Sequence, residues 1–139
     1  MRRKGAFLLE DFDMAKAKIS SQKILVLITR SDSRCEYCGQ PFCQTSRLAA
    51  FSVDHATPRA RGGTNDTSNL MAACMSCNMS KGTKTIEEYR ELMRTRKAFF
   101  TDQQYDLLSQ HGVKLPEELK PQPHKFYFEL KRTPDRGSR

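Results

Sequence analysis

A chain of 139 residues is long enough for one domain with a modest core and too short for two ordinary ones. Its 24 Lys plus Arg against 16 Asp plus Glu leave a formal net charge of +8, which suits a polyanionic partner, nucleic acid first, though charge alone fits a solvated basic surface equally well. The longest aliphatic run, Ile24 to Ile28, is far too short to span a bilayer, and Glu10, Asp11 and Asp13 interrupt the basic start before a signal-like apolar run develops. No membrane role is expected, and a cytoplasmic protein is.

In chain order, residues 1–13 and 131–139 are expected to be flexible basic tails around a single domain spanning 1–139. A helix is expected from about Ser20 to Arg30, with Ser20 or Ser21 as its cap, although the β-branched Ile24, Val26 and Ile28 would also permit a strand. Ser31 to Arg34 form a turn into Cys35-Glu36-Tyr37-Cys38, and Gly39 suits the tight geometry behind a knuckle. Ala50 to His55 reads as a short strand in which Phe51 and Val53 share one face and Asp54 looks away from Val53. Adjacent Asp54 and His55 should therefore have different tasks. Thr57 to Asp66, with Pro58 and Gly62-Gly63, is a loop, and Asn69 to Ala73 is an apolar lead into Cys74-Met75-Ser76-Cys77.

From Cys77 the pattern turns helical, with Asn78, Lys81 and Gly82 in the first turns. Thr85 and Glu88 form a capping box for a helix whose Ile86, Tyr89 and Leu92 or Met93 make one apolar stripe. A further helix runs from a Thr101 or Asp102 cap to Gly112. After the loop broken by Pro116, Pro121 and Pro123, the alternation of Phe126, Phe128 and Leu130 predicts a C-terminal strand, with those aromatics in the core rather than stacking on bases.

The chemistry concentrates between the two knuckles. Cys35, Cys38, Cys74 and Cys77 have the paired spacing that closes a tetrahedral structural Zn²⁺ site, and in a reducing compartment metal binding outranks disulfides. The odd cysteine, Cys43, is left as a free, packed thiol. His55 lies between Asp54 and Pro58 and is of the residue type that takes up protons near neutral pH. His111 and His124 have no companion motif. Arg59, Arg61 and Lys84 flank this stretch as possible phosphate contacts, and Lys81, three residues after Asn78, would share its helical face and could reach a phosphate.

The succession Cys35-x-x-Cys38, Val53-Asp54-His55-x-x-Pro58, Gly62-Gly63, Asn69-Leu70 and Cys74-x-x-Cys77-Asn78-x-x-Lys81 resembles the zinc-containing HNH endonucleases, also called ββα-metal or His-Me finger nucleases, over about residues 30–95. The resemblance implies an α+β fold. Its core would be a small ββα-metal unit, with two strands and a helix starting by Asn78, a structural zinc site of two CxxC knuckles, and flanking helices plus the C-terminal strand.

It further implies His55 as general base, Asp54 and Asn78 as ligands of a catalytic Mg²⁺ or Mn²⁺, and Asn69 as the middle Asn that orders the catalytic loop. The position after the second knuckle is often His in that family; Asn78 keeps an oxygen ligand there. The implied activity is metal-dependent DNA hydrolysis to 5′-phosphate and 3′-hydroxyl ends. A non-catalytic zinc module binding nucleic acid is the alternative, and a zinc-stabilised adaptor for another protein a third. Oligomeric state, substrate structure and sequence preference are open from sequence.

Overall fold

Ser20 caps the first helix of the computed structural model, which describes residues 19–131. The flexible tails expected at residues 1–13 and 131–139 lie outside the described residues, Lys131 excepted. The Ser20 Oγ accepts the Lys23 amide at 3.3 Å and opens α1, Ser21–Arg30, as the helical alternative anticipates. Ile24 and Leu27 bury one side of α1, which fixes the helical period over the β-branched preference.

The only sheet among the described residues pairs β1, Phe51–His55, with β2, Leu70–Cys74, antiparallel and with Val53 opposite Ala72. Its two faces serve different cores. Val53, Leu70 and Ala72 pack with Ile19, Ile24 and Leu27 of the α1 side. Met71 and Ala73, which point the other way, pack with Cys35, Tyr37, Tyr89 and Phe126. This two-sided burial explains why β2 carries no polar residue and is buried throughout.

Three helices follow: α2, Met75–Lys81; α3, Ile86–Arg96; and α4, Asp102–Gln110. The Thr85–Glu88 capping box of α3 is closed in both directions, and Thr101 caps α4 in the same way with Gln104. Tyr89 brings the α3 stripe into the core, stacked on Phe126 at 5.3 Å. The chain is thus a small α+β fold of two strands and several helices, and no described helix is long and apolar enough to cross a membrane.

The C-terminal strand is corrected: residues 127–131 are helical. Among the described residues no strand lies beside this segment to complete a ladder. Its free amides turn instead to the first knuckle, Tyr127 N donating to Tyr37 O at 3.0 Å and Phe128 N to Glu36 O at 2.9 Å, while the Glu129 carboxylate caps Phe126 N at 2.8 Å. Phe126 is buried as expected, but Leu130 is exposed, so the alternation did not reflect a sheet face. Lys131 likewise leaves the tail assigned to it, donating to Arg30 O at 2.8 Å and pairing with Asp32 at 2.6 Å.

Glu36, a spacer residue within the first knuckle, fastens that knuckle to the sheet. Its amide donates to Ala72 O at 2.8 Å and its Oε1 accepts Ala72 N at 2.8 Å, while both carboxylate oxygens take the Arg30 guanidinium at 2.9 Å. Replacing Glu36 with Ala leaves the buried Ala72 amide without an acceptor. We expect a loss of about 2–3 kcal/mol, read as a lower urea midpoint with an unchanged slope.

Candidate active site and metal centre

The knuckles bring their four sulfurs together, all Sγ atoms lying within 4.8 Å of one another. Cys38 Sγ and Cys74 Sγ are 3.9 Å apart, against the roughly 3.8 Å expected for sulfurs at 2.3 Å around one tetrahedral Zn²⁺. Each knuckle also turns an amide onto its first sulfur, Cys38 N to Cys35 Sγ at 3.5 Å and Cys77 N to Cys74 Sγ at 3.4 Å. Such amides favour the thiolate over the thiol.

Gly39 makes the turn behind the first knuckle at φ +81°, with the Tyr127 ring against it, 2.9 Å from where a Cβ would stand. Hydrogen bonding with Cys35 lowers Cys38 to about 7, whereas Cys77 is pushed up by its hydrogen bonds with Cys35, Cys38 and Cys74 and by burial. Four clustered thiols cannot all ionise without a cation to offset them, and a soft divalent ion fits this donor set. Cys43 stands outside the cluster as a half-buried thiol, its Sγ 3.0 Å from Thr45 Oγ1.

The helix after β2 starts earlier than the sequence pattern suggests. Cys74 itself is the N-cap of α2, because its sulfur accepts the Cys77 amide, so the helix begins at Met75, and Lys81 ends it rather than lying in its first turns. Asn78 falls one turn in and faces β1. Its Nδ2 donates to Ser52 Oγ at 2.9 Å and to Val53 O at 3.3 Å, and Ser52 passes the link on to Ala73 O at 2.8 Å.

Asp54 points to the face opposite Val53, as the strand period requires. It is only 6% exposed, and its Oδ2 accepts the Tyr37 hydroxyl at 2.6 Å and pairs with Lys81 Nζ at 3.1 Å. Burial, with Asp54 beside it, pushes the Tyr37 hydroxyl far up, so Tyr37 remains a donor. Asp54 Oδ1 and Asn78 Oδ1 accept no hydrogen bond among the described residues. These are hard oxygens left free, the donor type that Mg²⁺ and Mn²⁺ take.

Lys81 departs from its expected place at a phosphate. It is 0% exposed, and its ammonium is spent inside the protein, donating to His55 O at 2.8 Å and pairing with Asp54. Its position as the last residue of α2 turns it under β1, where a buried charge requires partners. Tyr37, which meets Asp54, and Asn65, which meets His55, are contacts that the sequence reading missed. Neither has a spacing signal, since each reaches its partner only through the fold.

His55 ends β1 half-buried, with Nε2 2.8 Å from Asn65 Oδ1. Asn69 orders the loop beyond it. Its Oδ1 accepts Thr57 N at 2.8 Å, and its Nδ2 donates to Thr57 O at 3.1 Å and Thr64 O at 2.8 Å. Gly63 packs where a Cβ would come within 1.7 Å of Thr57 O, which explains the second glycine of the pair. Around the rim, Arg61 meets Glu88 at 2.6 Å, Lys84 Nζ lies 3.5 Å from Ser80 O, and exposed Arg59 makes no hydrogen bond or ion pair among the described residues.

The HNH endonuclease family model matches residues 35–84, from the first knuckle through the loop after α2, and this segment is of the HNH endonuclease type. The CRISPR-associated endonuclease Cas9 of Corynebacterium diphtheriae is 41% identical over 56 residues, which are 40% of this chain and 5% of that protein. This chain therefore spans a small fraction of that relative. A crystal structure of the Type II-C Cas9 enzyme from Actinomyces naeslundii is 26% identical, covers 57% of this chain and 8% of its own, and superposes with a TM-score of 0.42. The family match supports a nuclease function.

Proposed function

We propose that the protein is a metal-dependent DNA endonuclease whose catalytic core lies within about residues 30–95. The observation that carries this reading is that Asp54 and Asn78 each keep a hard oxygen without a hydrogen-bond partner among the described residues, inside the same HNH segment as His55. Asp54 and Asn78 would hold Mg²⁺ or Mn²⁺, whose chemistry when bound is to offset charge developing on the scissile phosphate and its 3′ leaving oxygen. His55 serves as general base and takes a proton from the attacking water. Tyr37 and Lys81 hold Asp54 by its other oxygen, Ser52 holds Asn78, and Asn69 ties together the loop that follows His55. The products are 5′-phosphate and 3′-hydroxyl ends.

Zn²⁺ in the four-cysteine site is structural in this reading. Arg59, Arg61 and Lys84 would meet the DNA backbone in this reading, with Arg61 exchanging Glu88 for a phosphate. One observation favours a second reading, a silent module that only binds nucleic acid: the Lys81 ammonium already neutralises Asp54 without a divalent ion. Supercoiled plasmid separates the two. We expect nicking or cutting with Mg²⁺ or Mn²⁺ and none with EDTA; salt-sensitive DNA binding with no cutting under any of these conditions would establish the silent module.

A further inference from the structure

The general base proposed above has two ring nitrogens, and only the one carrying a lone pair can take a proton. His55 Nε2 lies 2.8 Å from Asn65 Oδ1. An amide oxygen only accepts, so Nε2 carries the hydrogen in the neutral ring and the lone pair sits on Nδ1. We propose that Asn65 is a positioning residue that fixes the His55 imidazole in this orientation and tautomer, presenting Nδ1 to the reacting water. The inference rests on the reading of His55 as general base.

Asn65 can do this because its backbone is held from both sides. The carbonyl of Thr64, just before it, accepts Asn69 Nδ2 at 2.8 Å, and its own carbonyl accepts Lys23 Nζ from α1 at 2.6 Å. His55 is anchored independently through its main chain, where Lys81 donates to its carbonyl at 2.8 Å. Two separately tethered residues therefore meet through one side-chain contact, and among the described residues no other group bonds the ring. Without Asn65 the imidazole keeps its place on β1 but loses what sets its rotation and its protonated nitrogen.

The zinc-loaded full chain, labelled with ¹⁵N at histidine and held where the ring is neutral, reports the tautomer of His55 directly. Wild type and Asn65→Asp, whose carboxylate accepts the same hydrogen bond, should both show hydrogen on Nε2. Asn65→Ala should show a mixture of tautomers and a kcat roughly 10–100-fold lower, with zinc content unchanged, and Asn65→Asp should recover most of that rate. Hydrogen on Nδ1 in wild type, or an unaltered tautomer and rate in Asn65→Ala, overturns the role of Asn65. The spectra need no cleavage, so a wild type that never cuts DNA overturns the nuclease reading separately.

Discussion

His55→Ala abolishes metal-dependent cleavage while zinc content and melting temperature stay close to those of wild type. Removal of a positioned general base costs roughly 10²–10⁴-fold in rate. Little folding energy should go with it, because the ring is half-buried and among the described residues its hydrogen bond runs only to Asn65 in a polar loop. The structural contact of this residue is its carbonyl, held by Lys81, and that survives the substitution. Plasmid cleavage with Mn²⁺, beside metal analysis and a thermal melt, makes the comparison. Cutting at the wild-type rate would show that another group takes the proton.

Loss of zinc is expected to have the opposite profile: it should unfold the site and remove activity without altering one catalytic residue. Cys74 shows why. It pairs with Phe51 at the end of β2, it caps α2, and its sulfur belongs to the four-thiol cluster. Cys74→Ser keeps a capping oxygen at the start of α2 but removes one of the four thiolates, so it should weaken the metal site that fixes the helix carrying Asn78 and Lys81. Structural Zn²⁺ contributes about 10–16 kcal/mol in isolated zinc-finger peptides; here two apolar clusters share the work, so a smaller but still large fall in melting temperature is expected, with cutting lost. A strong chelator should produce the same change in the wild type. An unaltered melt and retained cutting in Cys74→Ser would argue against a structural metal.

Features that depend on short-range rules were legible in the sequence. The knuckles are set by ligand spacing, the caps at Ser20, Thr85 and Thr101 by local hydrogen bonds, and the opposite facing of Val53 and Asp54 by the period of a strand. What depends on a distant partner was not. The Phe126 to Leu130 alternation has the look of a strand, but among the described residues no strand edge lies there to receive it, and knuckle carbonyls take the Tyr127 and Phe128 amides. Lys81 shares the segment of Asn78, yet whether it meets solvent or Asp54 depends on how α2 lies against β1. The contacts of Tyr37 with Asp54 and of Asn65 with His55 join residues 17 and 10 positions apart, with no periodicity to reveal them.

The two-stranded sheet has two open edges, and an open edge invites another chain to add a strand and aggregate. Here both are already taken. On the β2 side Glu36 occupies Ala72, and on the β1 side the outward carbonyls of Val53 and His55 accept Asn78 and Lys81. Asn78 and Lys81 thus cover this edge of the sheet with the same contacts that hold them against β1. An inactive variant for binding or structural work is accordingly better made at His55, where the edge stays covered, than at Asn78 or Lys81, where lost activity would come with a strand exposed for self-association.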